Sequence, residues 1–99
     1  MRFEWDAEKA SRNERVHGVS FEEAKELFTT EADVLEIYDV EHSLAEDRFK
    51  SIGPISRGLV LVVWTERLDD VIRIISARWA TAGEARAYRS FVEELHGER

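Results

Sequence analysis

Residues 59–66 read LVLVVWTE and residues 71–80 read VIRIISARWA, two runs of β-branched and aromatic residues parted by the polar RLDD at 67–70. Four residues can reverse a chain in a hairpin but cannot carry it over a sheet to a parallel neighbour. The two runs are therefore expected as adjacent antiparallel strands. The first is apolar on both faces, which places it at the centre of a sheet covered on each side. Such a sheet needs more strands beside it and helices packed on it, and the rest of the chain must supply both. The stretch LVLVVW at 59–64 is far short of the ~20 apolar residues of a membrane span, so no span is expected.

Toward the N-terminus, RFEW at 2–5 alternates polar and aromatic residues as a strand does, and Asp6 then stands as N-cap to AEKASRNERVH at 7–17. Gly18 can take the left-handed conformation that stops this helix. Ser20 and Glu23 have capping-box spacing ahead of Ala24, Leu27 and Phe28, which predicts a second helix over about 21–28. VLEIYDV from residue 34 and RFKSIG at 48–53 read as two strands, the second ending at the Gly-Pro break of 53–54, and EHSLAED between them as a solvated loop. Thr81 and Glu84 form another capping box, opening a helix whose stripe is Ala85, Tyr88, Phe91, Val92 and Leu95. His96 reads as a frayed end. The class is α+β.

Ninety-nine residues, 43% of them hydrophobic, suit one small core, so a single domain over 1–99 is expected. With no cysteine, the chain has no disulfide framework, thiolate zinc site or cysteine nucleophile. The net charge of −7 argues against indiscriminate polyanion binding by the whole surface. The acidity is local, however. Residues 31–56 hold two basic and seven acidic groups, whereas residues 57–99 hold seven of each, so a local phosphate site in the last segment stays open. The opening MRFEWDAEK has acidic residues where a secretory signal needs basic and then apolar ones, and a cytoplasmic location is expected.

No two histidines have the spacing that sets metal ligands on one helix face, and no glycine-rich nucleotide loop or nucleophile elbow occurs, so neither metal nor cofactor is expected. His42, Ser43 and Asp47 are adjacent in a polar loop, which does not orient a triad. His17, at a helix C-terminus, either complements the helix dipole or carries a proton. Arg48 opens a strand, Arg73 interrupts an apolar one, and Arg78 lies near its end. Each is suited by its planar fork to a phosphate and equally to a structural carboxylate. In an uninterrupted strand Arg73 and Arg78 fall on opposite faces, so only one of them can line a site unless a bulge intervenes. Trp5 and Trp64 read as core. Trp79 either stacks on a base or partner or packs under the last helix.

The stretch FEWDAEKASRNERVHGVSFEEA at 3–24 resembles the opening of BrnT-type toxins, the ribonuclease halves of type II toxin–antitoxin pairs. EHSLAEDRF at 41–49 is similar to that family's H-S-x-x-E-x-R-F stretch, and IG, LVLVVWTER, IRIISARWAT and GEARAYR follow in the family's order. The resemblance runs from about residue 3 to 89. It implies a RelE-like fold, with a twisted antiparallel sheet packed against N-terminal helices and a C-terminal helix. It also implies a metal-independent endoribonuclease that cleaves RNA and inhibits translation in a bacterial cytoplasm. A BrnA-like ribbon–helix–helix antitoxin would neutralise it and make the contacts to operator DNA.

Carried over by position, the resemblance makes Arg48 and Arg78 the first phosphate binders and His17 or Glu46 the proton carriers. Arg73, Trp79 and Arg15 are further substrate contacts. The chain departs from the family at Val16, where many members have Lys, and at WATAGE, where further basic residues often stand. The alternative reading is therefore a catalytically weak or inactive member of the same fold that binds the antitoxin as a co-repressor.

Overall fold

The computed structural model describes residues 1–97. Strand β1 (Arg2–Glu4) leads into helix α1 (Ala7–His17) and short helix α2 (Phe21–Ala24). Strands β2 (Leu35–Tyr38), β3 (Phe49–Ile55), β4 (Gly58–Arg67) and β5 (Val71–Trp79) follow, and helix α3 (Ala82–Leu95) comes last. The five strands form one sheet in the order β1-β5-β4-β3-β2. The hairpin read from the two apolar runs is β4–β5, turned through Asp69 and Asp70 at φ of 64° and 61°. Aspartate is among the few residues whose short polar side chain tolerates that left-handed geometry.

The caps form where spacing placed them. Asp6 accepts the Lys9 N–H at 3.0 Å, Gly18 closes α1 at φ 73°, and both Ser20–Glu23 and Thr81–Glu84 make reciprocal capping boxes. Other expectations are corrected. The sheet is mixed rather than wholly antiparallel, because β1 runs parallel to β5 with Phe3 opposite Ile72. Sixty-six residues separate these two strands, so no tight turn dictates their relative direction.

The helix expected over 21–28 is α-helical only to Ala24 and continues as a tighter 3-10 turn over Lys25–Phe28. That turn sets Leu27 over Gly53, where a Cβ would lie 2.8 Å from Leu27 Cδ1. Strand β3 passes through Gly53-Pro54 instead of ending there. Its pairing with β2 stops at Ile52, so the proline lies on an unpaired edge where its missing N–H is tolerated.

The loop read as solvated does expose Leu44, at 97%, but it also contains a 3-10 turn and a buried anchor. Asp39 accepts from His42 Nδ1 at 2.9 Å, Ser43 Oγ donates to the Asp39 carbonyl, and the Arg48 N–H donates to Ser43 Oγ at 3.0 Å. His96 is not frayed: it caps α3, and its Nε2 meets Asp33 Oδ2 at 2.7 Å.

Side-chain alternation divides the sheet into two faces. Val60, Val62 and Trp64 of β4, with Ile72, Ile74 and Ala77 of β5, point toward α1 and α2 and pack with Val19, Phe21, Ala24 and Leu27 into the main core. Trp64 stacks on Phe49 at 4.8 Å and meets Phe28 edge-on at 5.3 Å. Ile52 and Leu61 are cross-strand partners, buried yet outside that cluster. They turn to the other face, where α3 lies beside β3.

The run of alternation breaks once. Val63 pairs with Ser76 but Trp64 pairs with Ile74, leaving Ile75 as a bulge. The core-facing positions of β5 are therefore 72 and 74 before the bulge and 77 and 79 after it.

The outer edge of β5 beyond β1 is sealed by a side chain. Asn13 of α1 donates from Nδ2 to the Ala77 carbonyl at 2.7 Å and to the Val19 carbonyl at 3.1 Å, and its Oδ1 accepts the Ala77 N–H at 3.2 Å. One amide stands in for a neighbouring strand and fixes α1 along the sheet.

Candidate functional site

The bulge decides which arginines meet. With one residue looped out, Arg73 and Arg78 both project from the face opposite the main core, in place of the split expected for a regular strand. Arg73 pairs across the ladder with Thr65. Extending the β3–β4 ladder by one residue from Phe49 and Trp64 brings Arg48 opposite Thr65 on its other side. Arg73 and Thr65 thus continue toward Arg48, which lies just before β3, with strands spaced about 4.8 Å apart, and Thr65 at the middle of this row is buried and donates its hydroxyl to the Asp47 carbonyl. Lys50, Val63 and Ser76 form the row beside it. Sequence reading passed over Lys50 and Thr65, although the alternation of RFKSIG already sets Arg48 and Lys50 on one side.

Carboxylates are interleaved with this charge. Glu46 Oε2 is 3.5 Å from Arg48 Nη2, and Glu4 Oε2 lies 3.0 Å from Arg73 Nη1 and 3.5 Å from Arg67 Nε. The arginines differ in how far their donors are used. Arg78 uses three of its five donors: it grips Glu84 with two bonds of 2.8 Å and touches the Trp79 carbonyl, tying β5 to the first turn of α3. Arg48 is the opposite case, with a buried Nε that has no hydrogen-bond partner. A buried unsatisfied donor is uncommon in a folded protein, and it leaves the terminal nitrogens of Arg48, one of them 3.5 Å from Glu46, as the part of the guanidinium that a ligand can reach.

The remaining expected residues lie elsewhere. Trp79 is on the core side, against Gly18 and Gly58, with the Arg57 guanidinium 5.1 Å from its ring. It packs neither under the last helix nor on the arginine face. Arg15 is exposed on α1 and bonds Ser11 Oγ at 3.1 Å. His17 lines a cleft of about 280 Å³ between α1 and β5, together with Lys9, Arg12, Asn13, Val16 and Ile75. Of the proton carriers named from sequence, only Glu46 stands beside an arginine of the row. No group of three or more His, Asp or Glu residues is placed to hold a metal among the described residues, and no helix there is long and apolar enough to cross a membrane.

Two ion pairs shape the titration of the fold. The Arg78 guanidinium holds the Glu84 carboxyl at about 2, and the Arg57 guanidinium does the same to Glu23. A carboxylate whose folded pKa is depressed stabilises the fold above its ordinary pKa and loses that contribution as pH falls through the folded value. Urea midpoints are accordingly expected to fall between about pH 4.5 and pH 2. Glu84→Gln should be less stable at neutral pH and show a shallower acid limb. An unchanged limb in that variant would mean that the Arg78–Glu84 pair contributes nothing to acid sensitivity.

Comparison with known proteins agrees on one family. Residues 5–84 match the family model described as the ribonuclease toxin BrnT of type II toxin–antitoxin systems. In three dimensions the chain is similar to the crystal structure of the Brucella abortus ribonuclease toxin BrnT. The TM-score is 0.62 at 26% identity, over 82% of this chain and 97% of that one. No curated protein matches. Because the family model takes in well over half its length, this chain belongs to the BrnT family of type II toxins.

Proposed function

We propose that this protein is a metal-independent endoribonuclease that cleaves RNA on the sheet face opposite the main core and thereby inhibits translation. The supporting observation is the Arg48–Thr65–Arg73 row with Lys50 beside it, where the Arg48 guanidinium stands 3.5 Å from the Glu46 carboxylate. Transesterification of RNA requires removal of the 2′-hydroxyl proton, stabilisation of the charge growing on phosphorus-bound oxygen, and protonation of the leaving 5′-oxygen.

In this reading Glu46 receives the 2′ proton, and the 2′-oxygen attacks phosphorus to form a cyclic phosphate. Arg48 and Arg73, aided by Lys50, hold the nonbridging oxygens. The departing 5′-oxygen takes its proton from solvent. Arg78, already gripped by Glu84, serves to anchor α3. The fold is read as a RelE-like variant with one parallel edge strand. The partner is read as a BrnA-like ribbon–helix–helix antitoxin that neutralises the toxin in the bacterial cytoplasm and makes the operator contacts.

One observation favours a second reading. Arg48, Arg67, Arg73 and Arg78 each have an internal carboxylate within 4 Å, and the net charge is −7, as suits a catalytically weak member retained as an antitoxin-binding co-repressor. Tightly controlled expression in bacteria separates the two. Growth arrest with decay of total RNA is expected of the ribonuclease. Normal growth with intact RNA at a comparable soluble level would overturn it in favour of the co-repressor.

A further inference from the structure

The cleft between α1 and β5 carries cations that the sheet face does not use. Lys9, Arg12, Val16 and His17 follow one another at helical spacing along the side of α1 that borders β5, and no carboxylate lines the cleft. Ion pairs engage Lys25, Arg48, Arg57, Arg67, Arg73 and Arg78, whereas neither Lys9 nor Arg12 has a carboxylate oxygen within 4.0 Å among the described residues. In a chain of net charge −7 these are cations left without internal partners. Asn13 also lines the cleft, but its amide is committed to Ala77 and Val19. The apolar lining is Ile75 and the exposed Val16.

Ile75 gives the cleft its position. It is the residue looped out of β5, between the core-facing Ile74 and Ser76 of the opposite face, and it lines the cleft. The cleft lies along α1 at the edge of β5, past the stretch of β5 that β1 covers. From Lys9 to His17 it runs about 12 Å along α1, at 1.5 Å per residue. To reach it from the row, a single-stranded polyanion passes the β1 edge, where Glu4 already pairs with Arg73.

We propose that this cleft is a second phosphate-binding subsite, in which Lys9 and Arg12 hold a backbone phosphate of the RNA strand beyond the one cleaved, while Val16 and Ile75 take the apolar edge of its nucleotide. The proposal rests on the ribonuclease reading. It makes the binding site extend past the reacting dinucleotide, so longer strands gain affinity from α1 without any change at the reacting phosphate.

The test uses the full chain and fluorescein-labelled, 2′-O-methyl oligoribonucleotides, which have no free 2′-hydroxyl and cannot be cleaved. Anisotropy titrations compare a dinucleotide with an octanucleotide across a salt series. Wild type is compared with Lys9→Gln/Arg12→Gln, and with Arg86→Gln/Arg89→Gln as an equal loss of charge on α3. Both pairs are exposed on helix surfaces, so the fold is retained.

The octanucleotide is expected to lose most of its advantage in the Lys9/Arg12 variant. Its log–log salt slope should fall by about 0.7 for each phosphate that the variant no longer neutralises, while dinucleotide binding and the α3 variant stay as wild type. Equal octanucleotide affinity and slope in the Lys9/Arg12 variant and wild type would overturn the subsite and leave the ribonuclease reading standing. Failure of wild type to bind either oligonucleotide would overturn both.

Discussion

Arg48→Ala is expected to slow RNA cleavage by about 10²–10³-fold, the loss typical of removing one preorganised donor from a developing oxyanion. The expectation rests on the state of its guanidinium. The Nε is buried without a partner, and the nearest carboxylate, Glu46, stands at 3.5 Å. Truncation thus removes donors that no internal hydrogen bond needs, and the thermal midpoint should move by no more than a few degrees. Arg48→Lys should recover only part of the rate, because an ammonium supplies the charge without the planar fork. Arg73→Ala should act in the same direction, and it also frees Glu4, which Arg67 still contacts. Cleavage of a fluorescent oligoribonucleotide, read beside the melting curve, decides the matter. Unchanged turnover in both alanine variants would remove the row from the chemistry.

The second large effect is on stability. Asn13→Ala leaves the Ala77 N–H, the Ala77 carbonyl and the Val19 carbonyl without their partner at a buried position. Stranded groups of this kind cost about 1–3 kcal/mol each, and partial hydration brings the expected total to about 2–4 kcal/mol. In a domain of this size that corresponds to a fall in Tm of roughly 10–25 °C. Asn13→Asp is a sharper probe, since the carboxylate keeps the acceptor for Ala77 N–H but faces two carbonyl oxygens. It should be no more stable than the alanine variant. A Tm within about 2 °C of wild type for Asn13→Ala would show that α1 is held to β5 by other means.

The features that sequence revealed are those encoded within a few residues. Asp6 with Lys9, Ser20 with Glu23, and Thr81 with Glu84 are contacts three residues apart, so spacing alone locates them. The β4–β5 hairpin follows from a short turn between two apolar runs. What stayed hidden depends on distant partners. Asn13 sits among polar helix residues in ASRNERVH, and its role is set by Ala77, 64 positions away. The direction of β1 is equally invisible, because its neighbour β5 enters much later in the chain.

The arginine face was half legible. Alternation around Arg48 and Lys50 is local, but whether Arg73 and Arg78 share a side depends on one unpaired residue that only the ladder with β4 reveals. Trp79 was drawn toward the site by its neighbour Arg78. Beyond the bulge adjacent residues still take opposite faces, and Trp79 faces the core.

The looped-out Ile75 also sets the grammar of substitution along β5. Across 72–74 the even positions, Ile72 and Ile74, require apolar replacements, and the odd-numbered Arg73 lies on the opposite face, where packing accepts polar or charged ones. Across 76–79 the rule inverts: Ala77 and Trp79 are the restricted sites, and Ser76 and Arg78 are permissive to charge. A saturation library scored with one parity over the whole strand would misassign half of it. The point of inversion in such a map would locate the bulge without any structure at all.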